Sequence, residues 1–503
     1  MARRINARQA VFCLLLGLTA LRLVLAAILP LTPDEAYYWL WSRHLQAGYY
    51  DDAPLIALWI RAGTALIGTS DLGVRLLSPL GALAGSLLIW QAGDDFGPRA
   101  DHGSTGALAA LLLNATVLLG AGSIITTPDT PLLLFWTATL AALGRWYQTG
   151  DDRWWLAAGI AGGLALDAKY TGLLIFVAVG CALLADAPGR AALRRPWPWL
   201  GVLIGLALFA PVVFWNATHH WVSLRKQGGR SAHIDLGHAG LHLLDLLVGQ
   251  IGLATPLIGI LLVMGTCRAL RLGTGRALRA GDARLRLLAF SVLIPAAVFI
   301  EHTVSGVVQG NWPAILYPGA ALALAATPRS GLRNWPGLRN WIAASVLLGF
   351  ALTALVYGSA VLRSSALPAA WIAPARDPIA LQMAGWRGWA RRAAQAAGAE
   401  PIIATDYATI AELDWRLPAR TRLIAAGPRW RWFAWPHPQG AVTALLVQSD
   451  RHGPPSPLLF KSITRIGPLD RQSQGALVQA YTLYRVVLRA QAPAARLPGR
   501  SGR

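Results

Sequence analysis

The chain has 503 residues, 55% of them hydrophobic and 14% charged, with a formal net charge of +21. Its apolar residues fall in repeated long blocks, so it reads as a polytopic membrane protein rather than a soluble one, because a spanning helix needs about 20 mostly apolar residues. A nucleic-acid partner is excluded: the arginines sit in short loops between apolar blocks rather than on one solvated basic face.

Behind Arg3, Arg4 and Arg8, the first apolar block runs from Val11 to Leu29. No small-x-small cleavage site follows it, so it reads as a retained first helix rather than a signal peptide. Directly after it comes Pro33-Asp34-Glu35-Ala36-Tyr37-Tyr38-Trp39. Aromatic rings belong at the membrane–water boundary. Two adjacent acids there are either helix caps and dipole partners or part of a site. Pro54 to Gly68 reads as a helix lying along the interface, since Arg61 interrupts it and it is too short to span.

Further spans are expected near 72–92, 106–125, 129–147, 154–167, 170–186, 198–215, 241–267, 286–302, 312–327 and 341–362, giving about eleven with 11–29. The three cysteines, Cys13, Cys181 and Cys267, lie in apolar stretches without metal-ligand or disulfide-like spacing and read as small hydrophobes. With the N-terminus in the cytoplasm, the inner segments hold about eighteen basic residues. The short outer loops hold about six: Arg43, Arg61, Lys169, Arg225, Lys226 and Arg230. An odd number of spans then puts the last segment outside.

That segment, 363–503, changes composition. Strand-like runs at 401–405, 441–448 and 481–488 and a helical stretch at 407–417, punctuated by Pro and Gly, predict a small α/β extramembrane domain with a disordered tail from about Ala492. The preceding 1–362 form the transmembrane domain, whose first outer loop, 30–71, carries the acid pair.

The outer loops concentrate polar groups that composition does not explain. Asp34, Glu35, Asp51 and Asp52 share the first. Asp129 stands at the mouth of a span, and Lys169, one of only three lysines, sits between two apolar runs beside Tyr170. Asn216, His219, Arg225, Lys226, Gln227 and Arg230 occupy a later loop, and Asn311-Trp312-Pro313 opens a span from the same side. Simpler roles exist for each: a helix cap for Asp129, snorkelling for Lys169, lipid-phosphate contact for Arg225 and Lys226, an interfacial place for His219. Those roles leave unexplained why acids and bases from several loops share one face, and ionisable groups at membrane depth are costly enough to mark a site.

A lipid-linked phosphosugar suits such a face. Cations would stabilise the charge developing on a leaving phosphate, and a carboxylate would take the proton from an attacking hydroxyl. A transporter or flippase of lipid-linked sugars would need similar groups, but the chain has no internal duplication of the kind such folds carry. A non-catalytic envelope scaffold does not explain acids and cations in short loops.

The stretches TPDEAYYW, GYYDDAPLIALW, TPDTPLLLFW, DAKYTGLLIF, WNATHHWVSLRKQGGR and GNWPAILYPG, in this order over 10–362, resemble those of integral-membrane glycosyltransferases of the protein O-mannosyltransferase and lipid A aminoarabinose transferase group, glycosyltransferase family 39 in the broad sense. The resemblance implies a mainly α GT-C fold in the inner membrane and an inverting transfer from a polyprenyl-phosphate sugar to an envelope acceptor: lipid A, protein, polysaccharide or another lipid. It implies Asp34 as general base, Glu35 as its support, and Lys169 with Arg225 and Arg230 at the donor phosphate. Asp51, Asp52, Asp129, Tyr170, His219, Asn311 and Trp312 would line the substrate cavity. One departure stands out: Asp51 is followed by Asp52, Ala53 and Pro54, where family members carry a basic residue. No cofactor is assigned with certainty; a divalent metal is compatible with the chain but unsupported, and the substituted acid weakens a metal site built on this loop.

Overall fold

The computed structural model describes residues 7–98, 104–229, 234–274, 282–327, 337–364 and 376–497. The chain is mainly α, with a β-rich C-terminal portion. Among the described residues, six helices are long and apolar enough to cross a membrane: Arg8–Ile28, Asp71–Phe96, Pro196–Thr218, Pro256–Thr274, Ala283–His302 and Leu338–Arg363. This corrects the expected eleven. Six further apolar helices, among them Leu55–Ile67, Trp154–Ala168 and Ala239–Ala254, have only 10–17 residues.

The shortening has local causes. The block at 106–125 is cut where Ser104–Asn114 ends and Thr116 caps a new short helix, Val117–Gly122, by accepting from the Leu119 N–H. The block at 241–267 is cut at Thr255, whose φ of +67° precedes Pro256. A proline disfavours helical backbone in the residue before it. Lys169, extended at φ −160° and ψ 141°, separates Trp154–Ala168 from the turn Tyr170–Gly172 and the helix Leu173–Leu184.

The chain divides into two compact units. The first comprises Met1–Val24, Asp51–Trp59 and Leu76–Leu355. Its core includes Trp136, Leu140, Ile258, Leu261 and Leu288, all fully enclosed. Helices Trp154–Ala168 and Pro196–Thr218 approach backbone to backbone. A Cβ on Gly159 would lie 2.1 Å from the Gly201 carbonyl oxygen, so only small residues fit that crossing.

The second unit comprises Leu25–Tyr50, Ile60–Arg75 and Val356–Arg503. Its centre is a six-stranded mixed sheet. The strands are β1 (Ile402–Ala404), β2 (Leu423–Ala426), β3 (Val442–Ser449), β4 (Phe460–Pro468), β7 (Tyr481–Leu488) and β8 (Ala494–Arg496), in the order β4-β7-β3-β1-β2-β8. β5 (Arg471–Ser473) and β6 (Ala476–Gln479) form a separate hairpin. β1 lies parallel to both β2 and β3, with Ile402 facing Leu423 on one side and Leu445 on the other. Its three residues are buried, as a central parallel strand requires. β8 runs antiparallel to β2 through Ala425 and Ala495, so 494–496 are ordered strand where composition reads as an irregular tail.

Candidate active site

The acid pair lies in the second unit, on the helix Pro33–Arg43. Thr32 is its N-cap and Pro33 its first residue, and Thr32 and Glu35 form a capping box. Glu35 Oε2 accepts from the Thr32 N–H at 2.9 Å and from its hydroxyl at 3.1 Å. Arg75 closes the arrangement, Nε donating to Oε1 at 2.6 Å and an Nη donating to Oε2 at 2.5 Å, with both side chains wholly enclosed. The same guanidinium donates to the carbonyls of Leu29 and Pro30. Glu35 therefore pins the start of the helix, the capping role the acid pair allows.

Asp34 is placed differently. It is half-buried, and its Oδ1 accepts from the Tyr407 hydroxyl at 2.8 Å. Tyr407 opens the helix Tyr407–Arg416, with Asp406 as N-cap accepting from the Thr409 N–H at 2.8 Å. Burial, with Asp34 adding to it, raises the Tyr407 phenol well above its usual range, so the hydroxyl keeps its proton and donates. Burial likewise pushes Tyr37 up to about 12, against the pull of Arg429.

The two helices are joined along their length. The rings of Tyr37 and Tyr407 lie 4.8 Å apart, Trp39 meets Trp415 edge-on at 4.8 Å, and Arg43 donates to Asp414 at 2.8 Å. Arg416 reaches the Leu31 carbonyl. The Arg429 guanidinium lies 4.5 Å from the Tyr407 ring, 5.3 Å from Tyr37 and 5.9 Å from Tyr50, at cation–π distance.

The cationic group lies in the first unit. Asp129 heads the helix Asp129–Thr149 but makes no capping bond there. Its Oδ1 accepts from Lys169 Nζ at 2.7 Å and its Oδ2 from Asn311 Nδ2 at 2.5 Å. Lys169 is only 13% exposed and lies 5.9 Å from the Trp312 ring, so it is held inside the protein rather than snorkelling. The enclosed Asp52 sits in the field of Lys169 and Asp129, and its carboxylate accepts from the Ala53 N–H at 3.0 Å. Burial pushes its carboxyl up to about 6, while the Lys169 charge works in the opposite direction.

Asp51 pairs with Lys226 from the helix Val222–Gly229, and Gln227 donates to the Asp51 carbonyl. A cation is thus supplied from a distant loop where the sequence places a second acid. Tyr170 exchanges a hydrogen bond with Ser223 at 2.8 Å. His219 is turned to its own helix end, stacked on Trp215 with Nδ1 2.8 Å from the Trp215 carbonyl. Arg225 stands exposed, and Arg230 lies outside the described residues. Among the described residues, no three His, Cys, Asp or Glu side chains are grouped as metal ligands.

Sequence reasoning brings together Asp129, Lys169, Asn311 and Trp312, but does not single out Tyr407, Arg429 or Arg75. Arg75, a lone arginine at the head of an apolar run, is the kind of residue that needs a buried acid.

The sequence model of the dolichyl-phosphate-mannose-protein mannosyltransferase family matches residues 51–215. Lipid A galacturonosyltransferase RgtD of Rhizobium johnstonii is 28% identical over 294 residues, 58% of this chain. The match spans 59% of that protein's length. The crystal structure of ArnT from Cupriavidus metallidurans in the apo state aligns with a TM-score of 0.60 at 18% identity, over 95% of this chain and 98% of the other. The same protein bound to undecaprenyl phosphate gives 0.61 at 17% identity, with the same coverage. The chain thus shares the fold of ArnT over nearly its whole length.

Proposed function

We propose that the chain is an inverting glycosyltransferase of the inner membrane that moves a sugar from a polyprenyl phosphate to a hydroxyl or phosphate acceptor on the outer face. The observation that carries this reading is the division of labour in the acid pair. Glu35 is taken up by Arg75 and the helix cap, while Asp34 is half-exposed and held by a neutral hydroxyl. A general base must be oriented and within reach of its substrate.

Asp34 takes the proton of the acceptor hydroxyl as its oxygen attacks the anomeric carbon. The bond from that carbon to the phosphate oxygen breaks, and the polyprenyl phosphate leaves with the electron pair. Lys169 stabilises the charge that develops on it, with Arg225 as a second cation. Asp51, Asp52, Asp129, Tyr170, His219, Asn311 and Trp312 shape the cavity. The names of the similar proteins suggest galacturonate as the sugar and lipid A as the acceptor, with mannose as an alternative donor; the sequence resemblance adds aminoarabinose.

The test is release of free polyprenyl phosphate by purified protein in liposomes supplied with lipid A and each of these three donors. Wild type is expected to release it with at least one donor, and Asp34→Asn to slow release by about 10²–10⁴-fold, the usual range for a general base. A flippase would move the donor across the bilayer and leave its phosphate bonded to the sugar. Absence of release with all three donors overturns the reading.

A further inference from the structure

Tyr407 and Arg429 reach the acid-pair helix from a particular place in the sheet. β1 ends at Ala404, and Thr405 and Asp406 lead straight into Tyr407. β2, parallel to β1, ends at Ala426, and Gly427 and Pro428 lead into Arg429. Gly427 has a φ of +130°, which lets the chain turn there. Both side chains therefore leave the carboxyl ends of adjacent parallel strands, the edge where open α/β sheets carry their sites. The ring of Tyr407 is fixed by Tyr37 on one side and Arg429 on another, so its hydroxyl is aimed before any substrate arrives.

Resting on the glycosyl-transfer reading, we infer that Tyr407 of the C-terminal domain is a positioning residue for Asp34, its hydroxyl fixing the carboxylate orientation in which the base meets the acceptor. Asp34 is the second residue of its helix and half-buried, and an aspartate side chain has several staggered rotamers. The 2.8 Å hydrogen bond selects one of them. A misplacement of about 1 Å at a reacting group is enough to cost a hundredfold in rate. The C-terminal domain then completes the base rather than serving only as an acceptor platform.

The test compares Tyr407→Phe with wild type in the liposome assay, using whichever donor wild type consumes. The phenylalanine keeps the ring against Tyr37 and removes only the hydroxyl. The expected result is a kcat lower by about 10–100-fold with donor KM within about twofold. Asp34→Asn with Tyr407→Phe is expected to be no slower than Asp34→Asn alone, because the hydroxyl acts through Asp34. Trp415→Phe, which loosens the same helix pair at its far end, serves as the packing control: a lower Tm with kcat within about twofold.

Wild-type kcat in Tyr407→Phe overturns the inference, as does an additive loss in the double variant or an equal kcat loss in Trp415→Phe. A wild-type protein that releases no polyprenyl phosphate instead overturns the functional reading, which keeps the two failures distinct.

Discussion

Arg75 and Glu35 face each other at 2.5 Å with neither side chain reaching solvent. Removing one member of such a pair leaves an uncompensated buried charge, which costs roughly 3–5 kcal/mol. Glu35→Ala and Arg75→Ala are each expected to destabilise the fold by an amount of that order, read as a lower Tm in detergent. The double variant should recover part of the loss. Equal kcat per folded molecule in Glu35→Gln and wild type would agree with a purely anchoring role; a large kcat loss at unchanged Tm would refute it.

Lys169 has its carboxylate partner inside the protein, at Asp129, and is the cation proposed for the donor phosphate. Lys169→Ala is expected to raise donor KM by about ten- to a hundredfold, matching the roughly 1.5–3 kcal/mol of a hydrogen bond to a charged group. Asp129→Asn should act in the same direction but less strongly, since the lysine keeps its charge and loses its anchor. Donor titrations on folded protein decide the matter, and an unchanged KM in Lys169→Ala would remove this residue from the donor site.

Asp52 predicts a pH dependence. Its folded carboxyl, pushed up to about 6 by burial, lies above the usual value of 3.8. Between those values the folded state holds a proton that the unfolded state has released, so stability falls as pH rises through this window. The loss is complete above about pH 6 and is of the order of 3 kcal/mol. Asp52→Asn keeps the shape and abolishes the titration, so its Tm should fall less than wild type's between about pH 4 and pH 7. Parallel curves for the two proteins would contradict the assignment.

Lys226 and Arg225 are neighbours with different surroundings, since Lys226 meets Asp51 while Arg225 is exposed. Lys226→Ala is expected to destabilise by about 1–3 kcal/mol, leaving Asp51 without its cation. Arg225→Ala should stay within about 0.5 kcal/mol, as surface changes do, and act on donor KM alone. Thermal melts of the two variants would show the opposite order if the loop were arranged otherwise.

The acid pair, Asp129, Lys169 and Asn311 were legible because charged or amide residues stand out against an apolar chain. The number of spans was not. Hydropathy averages over about 19 residues, so it runs through Thr116 and Thr255, where the backbone breaks within one or two residues. β1, β3 and β7 were visible as apolar runs, whereas β4 is largely exposed and β8 has only three residues. Tyr407 could be read as part of a helical stretch, but nothing local ties its hydroxyl to Asp34. Lys226 was seen as one of several loop cations, and only the fold brings it to Asp51.

The hydrogen bond from Tyr407 to Asp34 joins residues 373 positions apart. At ribosomal rates of about 5–20 residues per second, roughly 20–75 s separate the making of the two. During that interval Tyr37 and Trp39, nearly enclosed in the finished protein, wait without Tyr407, Trp415 and Trp430 to cover them. The nascent chain therefore carries its acid pair long before the side chain that aims it, and becomes competent only once Tyr407 has been made.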